Sequence, residues 1–200
     1  MMRLFILMMV VSTLPGCGPS TKITKSWKEP YAAYKKGESG KIMVMAMVID
    51  AVSRRVIEDQ IVKRVGATAS QSYLLFSDDM LRTLPPEVFE DKLKRENFKY
   101  VLLMRLADVE EETSYVQGST AGYYGGYGRY YWYGASYYST PGYYATDKKY
   151  FVETTVFSVE PDKLLWSGTT KTVNPSKIEK TVNDIGDVVA DRMRRDGFLK

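Results

Sequence analysis

The chain has 200 residues, one cysteine, no histidine and a formal net charge of +4. This length allows one domain with a hydrophobic core after a targeting segment, and the absence of histidine excludes histidine acid/base catalysis and most zinc sites. Six lysines against two glutamates in residues 18–41 account for the net charge, so the nearly neutral remainder argues against a nucleic-acid partner.

Residues 1–16 have the pattern of a secretory signal peptide. A short basic region that contains Arg3 precedes an apolar run over residues 4–11. A membrane-spanning helix needs about 20 apolar residues, whereas the central region of a signal peptide needs about 7 to 15. The pattern therefore predicts a cleaved signal peptide rather than a membrane-spanning helix.

Cys17 is the only cysteine and directly follows Leu14-Pro15-Gly16. This arrangement resembles a bacterial lipobox, in which the thiol receives a diacylglycerol and the cysteine becomes the first residue of the mature chain. The resemblance implies acyl chains such as palmitate on Cys17, and Gly18 in place of aspartate implies the outer membrane, facing the periplasm, over the inner membrane. Two or more acyl chains anchor a protein stably. The alternative is an ordinary cleaved signal with an incidental cysteine.

Residues 17–40 are predicted to form a flexible basic tether between the lipidated cysteine and the domain. We expect its lysines to be solvated, and attraction to anionic lipid or to a cell-wall polymer is the alternative. Because the chain has a single cysteine, it can form no internal disulfide. The core must therefore be stable through packing alone.

The first elements predicted after the tether are a strand and a helix. An almost continuous apolar run over residues 41–50 predicts a strand buried on both faces. Asp50 or Ser53 can cap the following helix, and Gly66 can end it. Its predicted inward residues are Val52, Val56, Ile61 and Val65. Residues 67–76 are a weaker strand candidate.

A second helix and a second buried strand are predicted next. Pro85 and Pro86 can begin the helix, and Asn97 can cap its end. Its predicted inward residues are Val88, Phe89 and Leu93. Residues 99–109 have the apolar composition of a buried strand, and residues 110–116 become polar, as expected where a chain leaves the core.

The last third of the chain predicts a hairpin and a helix. β-Branched and aromatic residues dominate residues 150–159 and 164–173, and Pro161 and Asp162 suit the centre of the turn between them. Asn174 and Pro175 fit the cap and first position of the last helix. Its apolar stripe consists of Ile178, Val182, Ile185, Val189 and Met193, before Gly197.

This order of elements predicts one α/β domain over residues 41–200. We expect a mixed five-stranded sheet, parallel in its first half and ending in an antiparallel hairpin, with three flanking helices. A long Gly/Tyr-rich insertion over residues 118–146 interrupts the domain.

Four short motifs lie near the predicted element boundaries. They are Trp27-Lys28-Glu29-Pro30, Leu165-Trp166-Ser167-Gly168, Asn174-Pro175-Ser176 and Asp196-Gly197. Together with the apolar first strand and the Gly/Tyr-rich insertion, they resemble a family of bacterial lipoproteins with a single domain of unknown function. The resemblance implies a fold similar to the amino-terminal domain of the Tol-system periplasmic protein, to the curli-secretion lipoprotein and to the lipoprotein activators of penicillin-binding proteins. Function does not follow from such kinship.

Candidate catalytic and metal-binding residues are limited to carboxylates. Glu110, Glu111 and Glu112 form an acidic run, but successive residues of a strand face opposite ways, which favours an exposed strand end over a paired-carboxylate site. Asp78 and Asp79 suit a turn better than a set of ligands for a hard cation. We therefore expect no enzyme activity, cofactor or metal. A glycan hydrolase that acts through Glu110 or Glu112 is the least favoured alternative.

The aromatic insertion is the predicted contact surface. It is far longer than an ordinary strand connection, and its candidate binding residues are Tyr123, Tyr124, Tyr127, Arg129, Tyr130, Tyr131, Trp132 and Tyr133. Tyrosine and tryptophan provide large contact areas at low entropic cost, which suits glycan rings, peptides or a protein surface. The alternative is a low-complexity, disordered loop, which could also bind on contact.

These features predict a lipid-anchored, periplasm-facing envelope lipoprotein that acts as a non-catalytic binding or accessory module. Its expected partners are the membrane, through the lipid on Cys17, and an envelope protein or peptidoglycan, through the aromatic insertion. A self-assembling structural or secretion-associated lipoprotein is the alternative.

Overall fold

A computed structural model describes residues 21–34, 40–116 and 143–199 of the chain. Its strands are β1 (Thr21–Lys28), β2 (Lys41–Met47), β3 (Ala69–Gln71), β4 (Phe98–Val116), β5 (Tyr143–Ser158) and β6 (Lys163–Val173). Its α-helices are α1 (Ala51–Val65), α2 (Asp78–Thr83), α3 (Pro86–Arg95) and α4 (Ile178–Arg195), and a short 3-10 helix covers Ser72–Leu74.

All six described strands belong to one mixed sheet with the order β1-β6-β5-β4-β2-β3. β2 pairs in parallel with β3 and β4, and the remaining neighbours pair antiparallel. The predicted α/β class is confirmed, with its parallel first half and its antiparallel hairpin. The structure adds β1 to the five predicted strands and α2 to the three predicted helices.

β1 corrects the prediction that residues 17–40 form a flexible tether. It pairs with β6 from Thr21↔Thr172 to Lys28↔Trp166, and the Ser26 hydroxyl donates to Asp196 Oδ2 at 3.0 Å beyond the end of α4. Lysines suit an edge strand because they oppose further strand pairing. Their density suggested a solvated segment, although Ile23, Thr24 and Trp27 between them are β-branched or aromatic. The sheet therefore begins at Thr21 rather than at residue 41.

The sheet is buried on both faces at β2. Ile42 and Val44 pack in a core with α1 and α4 on one face, and Met43 and Met45 pack in a second core with α2 and α3 on the other. All four side chains are buried. Successive strand residues point to opposite faces, so both faces must be apolar here. The prediction of a strand buried on both sides is confirmed.

α1 has the predicted ends but a different buried face. Asp50 accepts a hydrogen bond from Ser53 N at 2.7 Å, and this bond lowers the pKa of its carboxyl group. Gly66 ends the helix at φ +102°. The predicted inward stripe is wrong at Val52, which is 68% exposed. The buried residues of α1 are Arg54, Glu58 and Ile61.

The segment between α1 and α3 holds less strand than predicted. Only three residues of the candidate strand 67–76 form β3, and a 3-10 helix follows directly. Asp78 and Asp79 lie in the first turn of α2 rather than in an open turn, and Ser77 Oγ caps that helix by accepting from Met80 N. In α3, which Pro86 begins as predicted, the only buried residue is Leu93.

α4 begins later than predicted, at Ile178. Asn174 instead has φ +47°, and its side chain accepts from Lys148 N at 2.9 Å and donates to Asp147 Oδ1 at 2.7 Å. It thus extends the pairing of β5 with β6 rather than capping a helix. Ile178 is exposed. The other four predicted stripe residues of α4 are buried, as predicted.

Candidate functional site

β4 and β5 continue past the rest of the sheet as a two-stranded ribbon. This aromatic ribbon consists of residues 111–116 paired with residues 143–148. The last pair between β5 and β6 is Lys149↔Val173, so β6 does not accompany the ribbon. At about 3.4 Å per residue the ribbon is about 20 Å long. It ends at the pair Val116↔Tyr143, which brings together both ends of segment 117–142.

The predicted site residues lie outside the described part of the chain. This holds for Cys17 and for all eight aromatic and arginine candidates between residues 123 and 133, so their roles stay predictions. The structure also shortens the predicted insertion, because residues 143–146 belong to β5.

The aromatic ribbon itself carries exposed tyrosines. Tyr115 and Tyr144 are cross-strand partners, and their ring centroids lie 5.2 Å apart. Tyr144 is 76% exposed, and Tyr143 is also exposed. Cross-strand aromatic pairs stabilise a ribbon by about 0.2–1 kcal/mol. Tyr115 is not among the predicted site residues, although it lies within the polar run 110–116 that precedes the insertion.

The acidic run lies at the base of the aromatic ribbon and forms cross-strand ion pairs. Glu111 pairs with Lys148 at 2.8 Å, and Glu112 pairs with Lys149. The hydrogen bond from Lys149 lowers the pKa of Glu112, and the bond to Glu111 raises the pKa of Lys148. Glu110 is exposed beside them. These ion pairs therefore favour the charged forms of Glu112 and Lys148 on a solvent-exposed surface.

The aromatic ribbon and the start of β1 lie at the same end of the sheet. Thr21 pairs with Thr172, one residue before the end of β6. Cys17 precedes Thr21 by four positions in the sequence. The opposite end of the sheet holds Tyr31, which follows β1 and is 100% exposed.

A second polar cluster, which the sequence analysis missed, lies at the buried Glu58. Its carboxylate accepts from Arg54 Nε, Ala46 N and Tyr73 N, each at 3.1 Å, and from Ser72 Oγ at 2.7 Å. Glu58 is 0% exposed. A buried carboxylate requires such donors, because burial without them is costly. Glu58 therefore joins β2, α1 and the 3-10 helix.

Arg54 completes this buried network. Its guanidinium donates to Asp78 Oδ1 at 2.6 Å, to Ser72 Oγ at 2.7 Å and to Phe76 O at 3.1 Å. Arg54 is 2% exposed, so substrate cannot reach it without local opening. The spacing of Arg54 and Glu58 at i and i+4 is the sequence signal for the pair, but charged residues are usually placed outside. We assign the network a structural role.

Two further features of the described residues bear on the site. Across residues 21–34, 40–116 and 143–199, no group of three or more His, Cys, Asp or Glu side chains is placed to hold a metal ion. Within the same ranges, no helix is both long and apolar enough to cross a membrane.

Comparisons with known proteins leave the family open. Neither a family model nor a curated protein matches the sequence. Similar solved structures include the PelC dodecamer from Paraburkholderia phytofirmans, at 10% identity and a TM-score of 0.45, over 85% of this chain and 95% of that chain. Lipoprotein GNA1162 from Neisseria meningitidis is similar at 10% identity and a TM-score of 0.40, over 78% of this chain and 99% of that chain. Function does not follow from likeness this weak.

Proposed function

We propose that the protein is a lipid-anchored accessory module of the bacterial envelope that binds a partner through the aromatic ribbon and segment 117–142. One observation carries this proposal: the ribbon extends both ends of that segment beyond the sheet. The exposed Tyr115, Tyr143 and Tyr144 continue the aromatic composition onto the ribbon. Tyrosines of this kind supply an apolar ring and a polar hydroxyl to a binding surface.

The position of β1 favours a partner near the membrane surface. If Cys17 carries the lipid, the four residues before Thr21 leave the domain little freedom to move away from the bilayer. The end of the sheet that bears the aromatic ribbon then faces the membrane. An envelope protein at the membrane surface is therefore favoured over peptidoglycan as the partner, and the outer membrane facing the periplasm is the proposed location.

The carboxylates support a non-catalytic role. A general acid in glycan hydrolysis needs a raised pKa, whereas the hydrogen bond from Lys149 lowers the pKa of Glu112. Glu110 and Glu112 are exposed on β4 at the base of the aromatic ribbon rather than in a cleft. The buried Glu58 is fully occupied by its four donors.

The proposal predicts that crosslinking to a partner depends on which end of the sheet carries the probe. A photoreactive residue in place of Tyr144 is expected to capture a discrete envelope protein in living cells. The matched probe replaces Tyr31, which is also highly exposed but lies at the other end of the sheet. Mass spectrometry of the crosslinked bands is the measurement. The same proteins captured at equal yield from both positions would contradict the proposal.

Two variants separate the ribbon from the anchor in this experiment. In the first, an Asn-Gly turn replaces segment 117–142 and closes the pair Val116↔Tyr143 as a tight hairpin. This change is expected to abolish the Tyr144 crosslink and leave the protein in the membrane fraction. In the second, Cys17→Ser removes the lipidated thiol and is expected to release the protein into the soluble periplasmic fraction. If Cys17→Ser stayed in the membrane fraction, this result would contradict the lipid anchor but not the binding of a partner through the aromatic ribbon.

Self-assembly is a second candidate because apolar side chains are exposed at the end of β2 and just after it. Met47, Ile49 and Val52 lie within one short stretch of chain, and all three are exposed. Exposed apolar groups of this kind often mark a contact between proteins.

If this surface joins copies of the chain, replacing all three residues by polar ones should reduce the mass to that of a monomer. The change is Met47→Gln, Ile49→Asn and Val52→Thr, and the measurement is light scattering after gentle detergent extraction. A control replaces the exposed Val88 of α3 by Thr. A wild-type protein that is already monomeric would exclude this candidate.

A further inference from the structure

A cavity of about 610 Å³ lies between α1, α4 and the sheet. The floor is formed by residues of β2, β4 and β5, and the walls by the last turns of α1 and by α4. Protein interiors are normally packed with few voids larger than a water molecule, whereas small-molecule sites occupy about 300–1,000 Å³. The volume is therefore that of a ligand site rather than of a packing defect.

The wall of the cavity on α4 includes two small residues. Gly186 and Ala190 both line it, and a Cβ on Gly186 would lie 2.6 Å from Arg64 Nε. Arg64 passes across this position and bonds to Asp187 Oδ1 at 2.5 Å and to Asn183 O at 3.1 Å. This bridge between α1 and α4 holds the helices together beside the cavity without filling it.

One residue in the floor of the cavity has a buried hydroxyl without a partner among the described residues. Thr154 of β5 lines the cavity and is 1% exposed. Its Oγ1 has no hydrogen-bond partner among the described residues. On the same face of the sheet, the Thr170 hydroxyl donates to Val152 O at 3.2 Å, and Thr172 pairs with Thr21. A buried hydroxyl destabilises a fold unless it is paired, so Thr154 points to a polar atom supplied by a ligand.

The remaining polar groups of the cavity favour an uncharged ligand. Arg64 and Arg194 line the cavity at the protein surface. Each already forms an ion pair with an aspartate of α4, Asp187 and Asp191 respectively. The lining is otherwise mainly apolar, with Ile61, Met104, Val182, Val189, Met193 and Phe198 among its members.

We propose that this cavity binds an uncharged lipid chain that carries one hydroxyl or carbonyl oxygen, and that this oxygen pairs with the Thr154 hydroxyl. The apolar chain fills the space beside Ala190 and the apolar residues of the lining. An ester-linked acyl chain has this chemistry. The proposal does not depend on the lipid at Cys17 or on the aromatic ribbon.

The test uses the full chain with Cys17→Ser, which has no acyl chain attached to it and needs no detergent. The uncharged fluorophore N-phenyl-naphthylamine is titrated first, and saturable binding is expected. Methyl laurate, dodecane and the laurate anion are then compared as competitors. Methyl laurate should displace the fluorophore best, because it is the only one of the three competitors that is both uncharged and able to accept a hydrogen bond through an oxygen. Stronger displacement by the laurate anion, or no saturable binding of the fluorophore, would overturn the proposal.

Variants locate the site within the fold. Thr154→Val keeps the shape and removes the hydroxyl, so the affinity for methyl laurate should fall about threefold to tenfold while that for dodecane is unchanged. Ala190→Phe fills the cavity and should abolish fluorophore binding, whereas Val188→Phe adds the same ring on α4 away from the lining. An unchanged preference for methyl laurate over dodecane in Thr154→Val would refute the proposal even if Ala190→Phe failed to fold.

Discussion

Replacing Glu58 by alanine is expected to lower the free energy of unfolding by about 3–5 kcal/mol, the cost of breaking a buried ion pair by removing one partner. The change leaves Arg54 Nε, Ser72 Oγ and two backbone N–H groups without their acceptor. None of these groups can turn to water, because the site is closed: Arg54 is almost fully buried and Ser72 is fully buried. Urea denaturation followed by circular dichroism measures the loss.

An exposed pair of the same spacing provides the control. Lys180 and Asp184 form an ion pair at 2.7 Å at positions i and i+4 of α4, with a partly exposed aspartate and an exposed lysine. Asp184→Ala is expected to cost less than about 0.5 kcal/mol, since such pairs are screened by solvent. A loss below about 1 kcal/mol for Glu58→Ala would contradict the closed, fully bonded site described above.

The double variant Arg54→Ala, Glu58→Ala distinguishes pairing from simple loss of packing. Groups within one hydrogen-bond network are not additive, so the double variant should cost clearly less than the sum of the two single variants. Additive losses would mean that each side chain acts through separate contacts. The segment from Ser72 to Asp78 should then open independently of α1, which amide hydrogen exchange would show.

The parts of the fold that the sequence predicted correctly are those in which one physical signal dominates. The apolar run of β2 required a sheet buried on both faces, and the stripe of α4 required one buried helix face. Hairpin β5–β6 followed from β-branched residues on either side of a turn. In each case hydrophobic burial is the largest favourable term, and it leaves a regular pattern in the sequence.

The failures occur where a tertiary contact overrides the local pattern. α1 buries Arg54 and Glu58 while Val52 stays exposed. Donors from β2 and the 3-10 helix pair with the Glu58 carboxylate, and Arg54 donates to acceptors that include Glu58 and Asp78. β1 is held by pairing with β6, about 145 residues later in the chain. Asn174 resembles a helix cap in sequence, yet it bonds to Lys148 and Asp147 across the sheet. No window of local sequence contains these partners.

The candidate site could be predicted only in part for the same reason. The composition of residues 118–146 indicated an aromatic contact surface. The aromatic ribbon, which continues this surface, depends on the pairing of residues 111–116 with residues 143–148. The polar composition of residues 110–116 predicted only that the chain leaves the core there. That the ribbon shares one end of the sheet with Thr21 follows from the registers of three strand pairs. The cavity needs the packing of α1 against α4, which composition does not reveal.

Trp166 and Gly168 provide a second test of the core. The expected loss in the free energy of unfolding for Trp166→Ala is similar to that for Glu58→Ala. Trp166 is fully buried, and its Nε1 donates to Asp196 Oδ2 at 3.0 Å. Its ring lies over Gly168 on the same face of β6, so that a Cβ at Gly168 would lie 2.2 Å from Trp166 Cη2. The short motif Leu165-Trp166-Ser167-Gly168 thus has a packing reason: the glycine leaves room for the ring.

Trp166→Ala should lower the free energy of unfolding by about 3–5 kcal/mol, because it leaves a large cavity and removes one of the two hydrogen-bond donors to Asp196 Oδ2. Gly168→Ala should be destabilising by about 1–3 kcal/mol through overpacking. The sign matters, since a glycine to alanine change within an unstrained strand normally stabilises a protein. Ser167→Ala, on the opposite face between them, serves as the control and should stay within about 0.5 kcal/mol.

The double variant Trp166→Ala, Gly168→Ala decides whether the ring is the cause. Once the ring is gone, the Cβ at position 168 enters vacated space, so the double variant should be no less stable than Trp166→Ala alone. The ring cannot avoid the collision by turning, because the bond to Asp196 and the packing against α4 fix its position. If Gly168→Ala destabilises the protein equally with and without the tryptophan, the glycine is required by the backbone and not by the ring.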